Sequence, residues 1–260
     1  MGHKTLIGGT AYDISGGKTL IGGTAYDIKG GRTLIGGTGF DISFAQREQT
    51  LPALMAAANL IDIAGRNSSS TGTVSLTLPA AGTYYILSFC EGYMSVSKVI
   101  YDGSSCTNTV LAQISGGYTR PQAYVSGGTV YYSNNGTGSA AVRGATLAAF
   151  QFSGYTEVEA DAIFTALTYT RRAGRASSST GTISSSALTD PCTLFLATDT
   201  YIALSTLVFG GGETAHFSNC NANPDMTKGL GKWGSAYSTF LSLDGTTNTA
   251  VYGGSMIQVA

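Results

Sequence analysis

Apolar and polar positions at the start of the chain fall into one pattern, written three times. Lys4–Gly17 reads KTLIGGTAYDISGG, Lys18–Gly31 reads KTLIGGTAYDIKGG, and Arg32–Ile42 reads RTLIGGTGFDI. Each unit is two β-prone runs around Gly-Gly, the pattern of a hairpin with a two-residue primed turn. Folding back at the glycines sets Ile7 opposite Thr10, Leu6 opposite Ala11, Thr5 opposite Tyr12 and Lys4 opposite Asp13. The same register gives Lys18 with Asp27 and Arg32 with Asp41, so the exchange of Lys for Arg keeps the charge match. Opposite charges across a strand pair contribute a few tenths of a kcal/mol to about 1. Alternation then gathers Ile7, Tyr12 and Ile14 on one face. One hairpin cannot bury such a face alone. Joined hairpins predict a six-strand meander or a spiral whose apolar residues, Ile7, Tyr12, Ile14, Ile21, Tyr26, Ile28, Ile35, Phe40 and Ile42, form an assembly interface.

A second, longer repeat follows. AGRNSSSTGTVS starts at Ala64 and AGRASSSTGTIS at Ala173, 109 residues on. The same offset carries AAVRGATLAAF at Ala140 onto TAVYGGSMIQV at Thr249, and SVSKVIYDG at Ser95 onto LSTLVFGGG at Leu204. The block therefore reads as two copies of one unit, with no inserted residue between its ends. Each copy opens on a helical stretch. In QTLPALMAAANLID a start near Thr50 tolerates Pro52 in the first turn. In TEVEADAIFTALTYTRR, Thr156 and Glu159 form a capping box, acids fill the first turn, and Arg171 and Arg172 suit the last. Short alternating runs come next: GTVSLTL, TYYILSF, SVSKVIY, TVLAQI, QAYVS, TVYYS and AAVRGATLAAFQF. About seven strands per copy predict a β-sandwich of jelly-roll type. The expected fold is mainly β: hairpin repeats over 1–43, then tandem β-sandwich domains over 44–152 and 153–260, each preceded by a short helix.

Composition narrows the partners. Only 11% of the 260 residues are charged, against about 25% in ordinary globular chains, and the net charge is -1. No basic excess is present to neutralise phosphates, so neither nucleic acid nor an anionic membrane is expected as a partner. MGHKTLIGGTAYDI lacks the apolar stretch of a signal peptide, and Leu51–Ala64 is too short and too interrupted to span a bilayer. Synthesis in a cytoplasm is expected, with free, partly buried thiols. None of Cys90, Cys106, Cys192 and Cys220 recurs at the same place in the other copy, so no disulfide framework is expected.

The search for chemistry is largely empty. With two histidines and no C-x-x-C pair, no metal site is expected; His216 and Cys220, four apart, are a weak exception. A fourteen-residue period with one charge-matched Asp per unit does not fit a calcium β-roll. His3 and His216 stand in no triad setting. Glu157, Glu159 and Asp161 cluster where a helix start favours acids anyway. GLGKWG at Gly229–Gly234 matches G-x-G-x-x-G but is followed by a strand-like run, not a helix. Trp233, Tyr237, Tyr131 and Tyr132 could offer a stacking platform for sugars, although aromatics in β-sandwiches mostly build cores. No catalytic residue and no cofactor is expected.

The tandem KTLIGGTAYDI units resemble N-terminal repeats of virion structural proteins of tailed bacteriophages and prophages, especially those of gut Firmicutes. The resemblance covers residues 4–42 and carries no catalytic motif. It implies a non-enzymatic part of capsid, neck, tail or fibre that is built in the host bacterial cytoplasm and resides in the virion. Its expected partners are sister chains, with a trimer as the preferred state, and other virion proteins. The alternative is an adhesin that binds a host-surface glycan.

Overall fold

The computed structural model describes the backbone of residues 3–7, 10–14, 17–21, 24–28, 30–35 and 38–43, and then 48–114, 121–186, 188–208, 212–219, 239–241 and 249–260. Two compact units divide the chain, 1–48 and 49–260. The expected junction at 152/153 lies inside the second.

The first unit is three antiparallel hairpins: β1 (His3–Ile7) with β2 (Thr10–Ile14), β3 (Gly17–Ile21) with β4 (Thr24–Ile28), and β5 (Gly30–Ile35) with β6 (Thr38–Ser43). Lys4 pairs with Asp13, Lys18 with Asp27 and Arg32 with Asp41, the registers that charge matching predicts. Each hairpin is its own two-stranded sheet. Among the described residues no ladder joins one hairpin to the next, so the expected continuous six-strand meander is not seen there.

The second unit is mainly β, with two helices among the described residues. Its elements are α1 (Leu51–Ala56), β7 (Ala58–Gly72), β8 (Ser75–Thr77), β9 (Gly82–Cys90), β10 (Tyr93–Tyr101), β11 (Cys106–Ile114), β12 (Gln122–Ser126), β13 (Thr129–Ser133) and β14 (Val142–Phe152). There follow α2 (Glu157–Thr165), β15 (Tyr169–Gly181), β16 (Ser184–Ser185), β17 (Cys192–Thr198), β18 (Tyr201–Val208), β19 (Gly212–Asn219), β20 (Thr239–Phe240) and β21 (Val251–Val259).

Two five-stranded antiparallel sheets dominate, in the orders β11-β10-β9-β14-β7 and β19-β18-β17-β21-β15. The orders match strand for strand, and so do details. Thr146 faces Gly65 in one sheet and Ser255 faces Gly174 in the other. The β9–β10 turn places Glu91 at φ 52°, and the β17–β18 turn places Asp199 at φ 51°. A one-residue bulge falls between Val96 and Ser97 and again between Leu204 and Ser205, with Leu111 and His216 as the extra residues.

The offset is not uniform, however. Leu147 pairs with Ser88 and Met256 with Leu196, so β17 follows β9 by 108 residues while β21 follows β14 by 109. Residues are lost and regained in connections, which no ladder holds in register. Cys90 therefore matches Thr198, and Cys192 matches Tyr84.

Strand alternation sorts the side chains into three cores. Tyr85, Leu87, Phe89, Met94, Val96 and Phe150 of the first sheet share one core with Phe195, Ala197, Ile202, Leu204, Ile257 and Val259 of the second. The other face of the first sheet, with Tyr84, Ile86, Val99 and Leu147, is covered by the small sheet β12-β13-β8 through Ala123, Val130, Tyr132 and Leu76. The other face of the second sheet packs under Ile183, Leu188 and Leu241, beside the short pair β16-β20. Both faces of β9, β14, β17 and β21 are thus dry. That is why they read as nearly continuous apolar runs rather than a clean alternation. Each fully buried large apolar side chain there contributes about 1.5–3 kcal/mol.

The halves touch reciprocally, as across a twofold axis. A Cβ on Gly65 would lie 1.8 Å from the Asp199 carbonyl oxygen, and one on Gly174 would lie 1.8 Å from the Gly92 nitrogen. Gly144 and Gly253, equivalent to one another, meet backbone to backbone. Thr146 Oγ1 donates to the Asp199 carbonyl at 2.8 Å, and the Gly92 N–H donates to Ser255 Oγ at 2.9 Å. The helices are exchanged: α1 packs on β18 and β19 of the second sheet, and α2 on β11 of the first.

Both helices are shorter than their sequences predict. Thr50 caps α1 by accepting from the Ala53 N–H, and Thr156 with Glu159 forms the predicted capping box on α2. But Asn59–Asp62 belongs to β7, and Arg171 and Arg172 belong to β15 instead of a last helical turn. Ladder bonds decide this. Asn59 pairs with Gln151 and Arg172 with Ile257, and the Thr168 N–H donates to the Ala260 carbonyl at 2.9 Å. The Arg172 guanidinium lies 3.8 Å over the Tyr93 ring, a cation–π contact between halves.

Candidate functional site

The predicted assembly residues are the first to place. Ile7, Tyr12, Ile14, Ile21, Tyr26, Ile28, Ile35, Phe40 and Ile42 all stand in hairpin strands at the predicted registers, which Ile14, Ile28 and Ile42 continue by one step in pairing with His3, Gly17 and Gly31 at the open ends. Their side chains lie outside the described residues, as do Trp233, Tyr237, Cys220 and the Gly229–Gly234 motif.

The twelve-residue repeat is a structural device. In β7 the ladder partner steps from Asn67 to Gly72 across two residues of β14, and β15 steps from Ala176 to Gly181 in the same way. The residues between arch out of the ladder. Arg66 spans the first arch, its Nη2 donating to the Ser70 carbonyl at 3.0 Å and to Ser70 Oγ at 2.9 Å. Arg175 spans the second, with 2.9 Å and 3.2 Å to the same groups of Ser179. A Cβ on Gly72 or on Gly181 would strike that arginine at about 2.6 Å. Arg, Ser and Gly recur because each holds the arch.

The three carboxylates of α2 are all engaged. Glu159 closes the capping box. Glu157 accepts from Thr83 Oγ1 at 2.7 Å. Asp161 is ion-paired with Lys98 and accepts from the Tyr85 hydroxyl at 2.8 Å. Lys98 keeps 18% of its side chain exposed and Asp161 27%. Burial, then the Asp161 carboxylate, pushes the Tyr85 phenol well above its ordinary range. This clamp fastens the exchanged helix to the first sheet. Sequence reasoning missed Lys98 and Tyr85; the signal was a lone cation inside the apolar run SVSKVIY.

Beside the clamp an open cleft of about 380 Å³ runs along the start of α2, with Asn59, Gln151, Phe152, Tyr155 and Glu157 on its walls. Asn59 and Glu157 are exposed, and Phe152 and Tyr155 half-buried. A second cleft, of about 260 Å³ and mainly apolar, lies between α1, the end of α2 and β17. Tyr131 and Tyr132 separate: Tyr132 is fully buried, while Tyr131 pairs with Tyr124 at 6.0 Å between ring centroids. They make no common platform.

His216 sits on its bulge with Nε2 2.8 Å from Thr206 Oγ1, which is 2.9 Å from Thr193 Oγ1. Among the described residues no group of three or more His, Cys, Asp and Glu could hold a metal ion. Cys90, Cys106 and Cys192 are free thiols. Burial pushes Cys90 and Cys192 up to about 12, which makes them poor nucleophiles. Among the described residues no helix is long and apolar enough to cross a membrane. Comparison with protein-family models, with curated proteins and with solved structures finds no match to this chain.

Proposed function

We propose that this chain is a non-enzymatic structural component of a virion, a tail, fibre, neck or capsid-decorating part, that assembles through its hairpin repeats. The observation that carries the reading is that each of the three hairpins is a separate two-stranded sheet with the same charge-matched register. A two-stranded hairpin is marginal in water and leaves both edges free for pairing. Three in a row make a surface suited to joining, while residues 49–260 have their own cores. We read residues 49–260 as two related β-sandwich modules fused through a shared core, the body that the hairpins tether. Sister chains in a trimer and neighbouring virion proteins are the proposed partners, and assembly takes place in the host bacterial cytoplasm.

Mass photometry of the whole chain and of a chain lacking residues 1–43 tests this. The whole chain should form a discrete oligomer and the shortened one a monomer. A monomeric whole chain, or an oligomer indifferent to the deletion, overturns the proposal.

The cleft at the start of α2 favours a second reading, a glycan-binding adhesin. Half-buried Phe152 and Tyr155 flanked by Asn59, Gln151 and Glu157 are the mixture of ring faces and hydrogen-bonding groups that sugars require. Binding of the shortened chain to a glycan array would support it.

A further inference from the structure

The two clefts share equivalent wall positions, Tyr85 with Thr193 and Gln151 with Ala260, and differ in the rest of their lining. Tyr85 faces Phe150 on β14 and Lys98 on β10. Thr193 faces Val259 on β21 and Thr206 on β18, so Thr193 stands where Tyr85 stands. In the first half the Tyr85 ring fills the space under the helix, 5.5 Å from Phe164 and 5.3 Å from Phe152 between centroids. In the second half, among the described residues, no ring lines that place. A cleft of about 260 Å³ remains, walled by Leu51, Pro52, Ile163, Leu167 and Val259, with the Thr193 side chain at its wall.

Apolar walls without partner atoms forfeit dispersion energy, and a preformed apolar cavity of about 150 Å³ is enough to take a benzene ring. The lining is not wholly apolar. Gln49 stands at the cleft, and Thr193 Oγ1 begins the hydroxyl chain that runs through Thr206 to His216. A ligand that fits both features has a flat ring and one hydroxyl.

We propose that this cleft binds a small monocyclic phenol, seated in the place that Tyr85 fills in the other half. The ring lies against Leu51, Ile163 and Val259, and the hydroxyl meets Gln49 or Thr193 at the polar wall.

The test uses the full chain with p-cresol and toluene as probes. Titration followed by methyl NMR should show saturable p-cresol shifts centred on the methyl groups of Leu51, Ile163, Leu167 and Val259. Toluene should bind about tenfold more weakly, the worth of one hydrogen bond. Thr193→Tyr, which installs the other half's own ring, should abolish p-cresol binding and raise the melting temperature of the ligand-free chain. Absence of saturable p-cresol shifts in the unmutated chain, or shifts centred elsewhere, overturns the proposal. So does p-cresol binding that a folded Thr193→Tyr leaves unchanged. If that variant does not fold, the location of the shifts in the unmutated chain decides alone.

Discussion

The two halves of residues 49–260 share a backbone plan and differ in how each holds the helix that crosses to it. Strand order, ladder register, the turn at Glu91 or Asp199, the bulge and the arginine-spanned arch recur. The side chains under the crossing helix do not. The first half sets Tyr85 and Lys98 against Asp161 of α2; the second sets Thr193 and Thr206, linked to His216, beneath α1. A charged clamp and a neutral hydroxyl chain thus occupy the same ladder positions. Backbone approach between the halves admits little variation, because glycine is the residue without a side chain to clash. The contacts beneath the helices admit much, because each needs only local satisfaction of its polar groups.

The largest expected effect attacks what the halves share. Gly65→Ala and Gly174→Ala each place a methyl group 1.8 Å from backbone atoms of the opposite half. Backbone cannot step aside as a side-chain tip can, so each should cost about 3 kcal/mol or more in urea or thermal unfolding. The two losses should be similar. Gly138→Ala, with nothing within 4 Å of its added Cβ, should change stability by less than about 0.5 kcal/mol. A large loss at one of Gly65 and Gly174 and none at the other would break the reciprocity.

Next comes the clamp. Lys98→Met leaves Asp161 without its cation while Tyr85 remains its hydrogen-bond donor. Because both partners keep some contact with water, the cost falls below that of a fully buried pair, at about 1–3 kcal/mol. Thr206→Val in the other half removes one neutral hydroxyl and should cost about 1 kcal/mol. Chemical denaturation of the two variants side by side measures the difference; equal losses would show that charge gives the first half no special hold.

A smaller effect separates Asn67 from its counterpart Ala176. Asn67 Oδ1 accepts from the Gly253 N–H at 3.1 Å and from the Tyr252 N–H at 2.6 Å, bridging the halves once. Asn67→Ala should cost about 1–2 kcal/mol in the same unfolding assay. Ala176→Asn, facing the equivalent backbone at Arg143 and Gly144, should recover part of that loss in the double variant. Failure to recover any would limit the equivalence to the ladders.

Much of this plan was legible. The hairpin registers followed from Gly-Gly and the charge pairs, the seven runs of the first copy from their turns, and the capping box from Thr156 and Glu159. The sharing of one core by both copies was not, because an apolar run shows that both faces of a strand are covered but not which element covers them. Helix ends were missed where Asn59 and Arg172 join ladders, since pairing partners more than 80 residues away outweigh local propensity. The uniform offset failed because a residue lost in a connection leaves no trace in an apolar pattern. Of the candidate sites, the carboxylates of α2 were visible but their partners were not. Lys98 and Tyr85 reach Asp161 only through a helix exchanged between copies.

The smallest effect concerns the turn residues Asp199 and Glu91. Burial alone raises the pKa of Asp199 above its ordinary value. The folded chain therefore holds that proton more tightly than the unfolded chain does. Stability tied to this group is present at low pH, is lost as the pH rises from the unfolded pKa, about 3.9, through the folded one, and stays at the lower level above both. Asp199→Asn removes the carboxylate and suits the positive φ of 51°. At pH 7 it should raise the melting temperature by about 1–2 °C, a modest figure because solvent screens a partly exposed group. Near pH 3, where Asp199 is protonated in both states, the two chains should melt together. An advantage that persists at pH 3 would trace to the preference of Asn for this positive φ and not to the buried carboxylate. A variant that melts lower at pH 7 would show that Asp199 holds this turn through its charge, and the likeness of the two turns would then end at the backbone.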